Sequence, residues 1–161
     1  MIYRTAEDMD IEEILQMKNE VKERIQKENL PIWLDGYPSD DFIKEDIEKG
    51  YGRVIEDKEK IIAYACFHHA SEEYPKGTFF KDNLQSFGRI MVCNQYLGKH
   101  CGSYLISEMI KEAKTMPVEG MGILVDACNL KAVHLYERYG FKKEGSKQFP
   151  YAYLDIYGLY F

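Results

Sequence analysis

No apolar run in this sequence approaches the roughly 18 residues that a membrane-spanning helix needs, so no membrane partner is expected. No repeat, linker or low-complexity tract interrupts it, and one domain over 1–161 is the expected organisation. Its four cysteines, Cys66, Cys93, Cys101 and Cys128, contain no CxxC pair. A disulfide framework or zinc ribbon therefore has no footing. Cys66, Cys93 and Cys128 sit in or beside strand-like apolar runs, which predicts buried free thiols and a reducing, cytoplasmic setting. Positive charge is also scarce: 21 Lys and Arg stand against 27 Asp and Glu, for a net charge of −6. Nucleic acid needs a basic stripe, and none is present. Met1 to Arg4 lacks the charged and apolar regions of a secretory leader, so none is expected. Tryptophan is nearly absent, with one residue, whereas 13 Tyr and 8 Phe imply an aromatic core or cleft.

What is present reads as alternating strands and helices. "MIYRTA" alternates apolar and polar residues as a strand does. Asp8 or Asp10 can cap the next helix, with Glu13 three residues after Asp10 as in a capping box; Ile11, Ile14, Leu15, Val21 and Ile25 recur at helical spacing to about Lys27. "NLPIWLDGYPSD" is a loop. Ser39 caps a short helix with Phe42, Ile43 and Ile47 on one face, stopped by Gly50. Two β-rich runs around "KEK" predict a hairpin, and "LQSFGRIMV" a further strand. A helix over about 101–115 follows, then the buried strand "MGILVDA". Asn129 caps a helix with Ala132, Leu135, Tyr136 and Tyr139 on one face, and two strands close the chain. The order β-α-α-β-β-β-α-β-α-β-β is that of an α/β domain with a mixed sheet, the strand, helix and strand of 84–125 forming a parallel crossover.

The segment "NQYLGKHCGSYL", residues 94–105, places Gly98, Lys99, His100 and Gly102 between a strand and a helix. A helix N-terminus presents unpaired N–H groups, and glycines let the backbone approach an anion closely, so this loop suits a phosphate or is simply a tight turn. It lacks the spacing of GxxxxGK[ST] and of GxGxxG, which argues against a nucleotide of those two kinds.

Together with "DACNLKAVHLYERYGF", the segment "IMVCNQYLGKHCGSYLI" resembles the GCN5-related N-acetyltransferase (GNAT) family. The resemblance runs over essentially the whole chain and is most specific at 89–105 and 126–141. It implies an α/β GNAT fold, a mixed central sheet of about six to seven strands flanked by about four helices. It also implies an enzyme that moves an acetyl group from acetyl-CoA to a primary amine of a small molecule or peptide, by direct attack in a ternary complex. The alternative is a catalytically silent acyl-CoA-binding sensor of the same fold. Under this resemblance Gly98, Lys99, His100, Cys101, Gly102 and Ser103 hold the pyrophosphate, and Asn129 touches the pantetheine arm as well as capping its helix. A backbone N–H within Met91, Val92 and Cys93 meets the oxyanion, and Tyr136 is the general acid. Two departures stand out. Leu97 occupies the place of the family's Arg or Gln, and His100 that of a glycine, where its Cβ resists a positive φ.

Trp33 and Tyr37 are candidates for the substrate wall, or pack on their own helices. Arg89 orients a substrate carboxylate, or pairs with a neighbouring acid. Of His68 and His69 only one can face a cleft. No metal is expected, because these residues with Cys66 lack a fourth ligand at usable spacing. The aromatic C-terminal strand leaves monomer and homodimer open.

Overall fold

The computed structural model describes residues 1–161 and follows the expected order of elements. These are β1 (Ile2–Thr5), α1 (Ile11–Lys27), α2 (Asp40–Glu48), β2 (Gly52–Asp57), β3 (Lys60–His69), β4 (Gln85–Val92), α3 (Cys101–Lys114), β5 (Gly120–Val125), α4 (Leu130–Arg138), β6 (Lys142–Gln148) and β7 (Tyr153–Tyr160). The strands form one seven-stranded sheet in the order β1-β2-β3-β4-β5-β7-β6. β4 and β5 run parallel at Gln85↔Met121, as the crossover through α3 requires, whereas β5 and β7, and β7 and β6, are antiparallel. The sheet is therefore mixed. No helix is long and apolar enough to cross a membrane.

Contacts divide the chain into two compact units. The first comprises Met1–Phe67 with Arg89–Glu108, the second His68–Gly88 with Met109–Phe161. In the first, the helical spacing of Ile14, Met17, Val21 and Ile25 lays one face of α1 into a core shared with Ile43, Ile47, Val54, Tyr64 and Met91. Each fully buried isoleucine there contributes about 2–3 kcal/mol of transfer free energy. Acids in the first turn of α1 (Glu12, Glu13) and bases in its last (Arg24, Lys27) match the helix dipole. Ser39 caps α2 by accepting from the Phe42 N–H at 3.2 Å. The β2–β3 turn places Lys58 and Glu59 both at positive φ, 49° and 65°, as a two-residue hairpin of the primed type demands. In the second unit, Phe87, Tyr136 and Phe141 meet edge to face, with ring centroids 5.5 to 6.2 Å apart.

Three expectations need correction. The capping role at the start of α1 lies one turn earlier. The Asp10 carboxylate accepts from the Glu7 N–H (2.8 Å) and from both Arg4 nitrogens (2.7 and 2.9 Å), while Glu13 accepts from Ile61 N–H at 3.0 Å. A bidentate, charge-assisted pair outweighs a neutral cap. Phe42 does not join Ile43 and Ile47 in the core. It is exposed, its ring meeting Tyr37 edge-on and lying 5.4 Å from the Arg89 guanidinium. Cys128 is exposed, because it follows the end of β5 rather than lying in it. All four cysteines are free thiols.

The Arg4–Asp10 pair makes stability depend on pH. The Arg4 guanidinium, bonded to the carboxyl, holds Asp10 below the usual carboxylate range against the opposing effect of burial. A depressed carboxyl stabilises the fold above its unfolded value of about 3.9, and the contribution is lost as pH falls through the folded value. The gap in Tm between the wild type and Asp10→Asn should therefore be largest above about pH 5 and close below about pH 4. Thermal melts at stepped pH check this; a gap that does not change with pH rules the pair out as its source.

Candidate active site

The loop between β4 and α3 is tied down at both ends. The Cys93 N–H donates to the Ile62 carbonyl (3.0 Å), and the Asn94 N–H to the Glu20 carboxylate (2.6 Å). Arg24 reaches the Val92 carbonyl at 3.2 Å and also bonds Asn94. Residues Asn94–Tyr96 make one 3-10 turn, and the Tyr96 hydroxyl donates to Asp57 at 2.8 Å. Beyond the turn, Gly98 (φ 73°) and His100 (φ 62°) both adopt the left-handed region. His100 thus adopts a conformation that favours glycine in spite of its Cβ, at a cost of about 1 kcal/mol. Alternating left-handed residues turn successive N–H groups to one side, the arrangement of an anion nest.

The first intrahelical bond of α3 runs from Tyr104 N–H to the His100 carbonyl at 2.9 Å. The N–H groups of Cys101, Gly102 and Ser103 stand in the first turn, ahead of that bond. No acidic side chain stands in this first turn, and Lys99, exposed, lies over Tyr96 with its ammonium 5.1 Å from the ring. These groups suit a pyrophosphate. Leu97 is 47% exposed and adds no donor. Burial pushes both the Cys93 and the Cys101 thiols up, so neither is a ready nucleophile.

Of the three candidate oxyanion donors, Cys93 is excluded, because its N–H is committed to Ile62. Amide directions alternate along a strand, so the Val92 N–H points away from β3, and Met91 shares the side of Cys93. Three residues before Val92, Arg89 interrupts β4 with φ 51°. Its guanidinium does not stand open for a carboxylate. Nε and Nη2 donate to the two Asp46 oxygens at 2.9 and 2.8 Å, Nη1 to the Tyr37 hydroxyl at 3.0 Å, and Nη2 also to Cys66 Sγ at 3.0 Å. The Tyr64 hydroxyl donates to the same Asp46 carboxylate at 2.8 Å. Burial, then the Asp46 charge, pushes the Tyr64 phenol far up. The second reading of Arg89, pairing with a neighbouring acid, is the one observed. Tyr37 is half-buried against Arg89, and Trp33 half-buried against the core of the first unit, so this loop packs on its own unit.

In the second unit, Asn129 caps α4 through Ala132 N–H at 3.4 Å, and Val133 and Tyr136 are its buried residues. Tyr136 is 9% exposed, and burial is the sole cause pushing its phenol up. His68 is buried, with Nδ1 2.8 Å from the His69 carbonyl and Nε2 2.9 Å from Glu73. His69 bridges Ser71 and Asn83 at 2.7 and 3.1 Å. No group of three or more His, Cys, Asp or Glu side chains is arranged to hold a metal ion. A cavity of about 580 Å³ lies by His69, Tyr74, Lys76, Phe79 and Asn83. Asp82 and Thr78 bond within its own segment, to Gly77 N–H and the Pro75 carbonyl.

Asp46 and Tyr64 escaped the sequence reading, as did the contact of Cys66 with Arg89. The signal for Asp46 was available: it stands three residues after Ile43 and next to Ile47, which puts a carboxylate on the apolar stripe of α2.

The family described as acetyltransferase (GNAT) matches residues 18–141. No curated protein matches the chain in sequence. Among solved structures, a GNAT-family acetyltransferase from Streptococcus agalactiae superposes with a TM-score of 0.83 at 21% identity, over 99% of this chain and 95% of that one. A protein from Streptococcus mutans gives 0.73 at 26% identity, over 99% of each. The ribosomal-protein-alanine N-acetyltransferase of Brucella melitensis gives 0.71 at 19% identity, over 100% of both.

Proposed function

Because the chain belongs to the GNAT acetyltransferase family, we propose that it is a single-domain, cytoplasmic enzyme that transfers the acetyl group of acetyl-CoA to a primary amine of a small molecule or peptide. The observation that carries this reading is the opening of α3. Left-handed Gly98 and His100, the helix N-terminus opened by Cys101, Gly102 and Ser103, and Lys99 fit a pyrophosphate in charge. The four free thiols support a reducing compartment.

Acetyl-CoA supplies an activated thioester. The Val92 N–H, turned away from β3, is the donor for the oxygen that gains charge as the amine attacks. Tyr136 donates its phenolic proton to the sulfur that leaves. With both substrates bound together, the neutral amine forms the carbon–nitrogen bond as the carbon–sulfur bond breaks, and the proton that the nitrogen sheds passes to water, from which Tyr136 is reprotonated. Asn129 has its side chain committed to the α4 cap and its backbone at the β5–α4 junction, where it holds the pantetheine arm. Trp33 and Tyr37 shape the acceptor side by packing, and Arg89 acts there through Tyr37 rather than as a free cation.

Isothermal titration with acetyl-CoA, with ATP and NAD as controls, tests the reading. Micromolar acetyl-CoA binding with no control binding supports it, and release of free CoA thiol across an amine panel then identifies acceptors. No acetyl-CoA binding overturns it. A second reading, a silent acyl-CoA sensor, is favoured by Leu97, which offers the phosphate no side-chain donor; binding without CoA release for any amine supports it.

His100→Gly probes the cradle. Glycine takes φ 62° without the Cβ cost of about 1 kcal/mol, so this variant should bind acetyl-CoA at least as tightly as the wild type. Tenfold weaker binding, about 1.4 kcal/mol, would instead assign the imidazole a direct phosphate contact.

A further inference from the structure

Arg89 is the strained residue of β4. The left-handed conformation favours glycine, and Gly88 stands immediately before it, where an added Cβ would meet nothing within 4 Å. The kink nevertheless falls on the arginine. Strain of this kind persists only where the surroundings over-determine it. Here the surroundings are explicit. Asp46 grips Nε and Nη2 in a fork, Tyr64 fixes the same carboxylate, and Tyr37 takes Nη1. Arg89 is 8% exposed and Asp46 4%. A bidentate pair fixes the plane and direction of the guanidinium, not only its distance. The Arg89 backbone must follow a side chain anchored at that many points.

We infer that Asp46 is a positioning residue for acyl transfer: through Arg89 it holds the left-handed kink in β4 and so aims the Val92 N–H at the acyl oxygen. This rests on the acetyltransferase reading above. Asp46 itself touches neither substrate, since its oxygens are occupied by Arg89 and Tyr64. Its role is to keep a donor pre-oriented, so that nothing has to reorganise when charge develops. The same network ties Tyr37, from the loop before α2, to the kink. The acceptor wall and the donor strand are thus set by one buried charge pair.

The test uses the whole chain, Asp46→Asn, and the double variant Asp46→Asn/Arg89→Gln. The second removes the unpaired buried charge that the first leaves behind, and so covers failure of the single variant to fold. Two readouts separate positioning from simple structural support. The first is kcat against KM for acetyl-CoA. The second is the infrared carbonyl band of bound ¹³C-labelled acetyl-CoA, which shifts when a donor polarises the carbonyl. The expected result is a fall in kcat of about tenfold to a hundredfold, an unchanged KM for acetyl-CoA, and a carbonyl band returned towards its position in water. Folded variants with wild-type kcat and band overturn the positioning role and leave the acetyltransferase reading intact. A wild-type protein that does not bind acetyl-CoA overturns the reading, and the positioning role with it.

Discussion

Tyr136→Phe should lower kcat by about 10²–10³-fold while leaving acetyl-CoA affinity and Tm close to wild type. The change removes one oxygen and keeps the ring, so the edge-to-face contacts with Phe87 and Phe141 survive. Burial pushes the phenol up, which favours its protonated form. Taken alone, a raised phenol is a reluctant acid. Under the proposed reading the CoA sulfur would leave beside this buried phenol, however, and desolvation raises a thiol as it raises a phenol. The two groups therefore remain matched more closely than their values in water imply. In that reading a phenolic hydrogen bond would also stabilise the sulfur as its charge grows, before the proton moves. Steady-state release of free CoA, together with acetyl-CoA titration, measures both halves. An unchanged kcat makes Tyr136 a core aromatic only, and a joint loss of affinity and Tm makes it a packing residue.

How far the sequence revealed this chain differs between fold and site. The elements were legible because their signals are local. Ile14, Val21 and Ile25 mark one face of α1, Ser39 and Asn129 cap their helices by accepting from the residue three later, and the unbroken "MGILVDA" marks β5 as buried. Spacing alone made Tyr136 a residue on the apolar face of α4, and only the family resemblance of the run from Asn129 to Phe141 singled it out as a candidate acid. Residues 98–103 were legible as a turn opening a helix, because that signal is local too. The site was not legible where partners lie far apart. Arg89 and Asp46 are 43 residues apart, and no periodicity links them. Asp10 was misread because its best partner, Arg4, lies outside the helix it was expected to cap. His100 shows a different limit. Propensity disfavours a positive φ there, but propensity is a weak prior, and a helix start together with a preceding turn overrode it.

The largest loss of stability from a single added methyl should come at Gly120. A Cβ built there meets the Leu159 carbonyl oxygen at 2.2 Å and Tyr160 Cα at 2.8 Å, both backbone atoms of β7. Gly120 pairs with Tyr160 in the β5–β7 ladder, so moving either strand away breaks the register that continues to Val125↔Asp155. Gly122 is the instructive contrast. A Cβ there meets the Phe79 ring at 2.6 Å, a similar overlap, but the obstacle is a side chain that can turn about its own bonds. Overpacking against movable groups costs about 1–3 kcal/mol, and against fixed backbone it reaches or exceeds the top of that range. Gly120→Ala should therefore lose about 3 kcal/mol or more, or some 6–12 °C in Tm for a chain of this size, and Gly122→Ala clearly less. Thermal and urea melts of the two variants decide the point. Equal losses would mean that the Phe79 ring is as rigidly held as the strand backbone, and a smaller loss at Gly120 would mean that β7 yields at its C-terminal end.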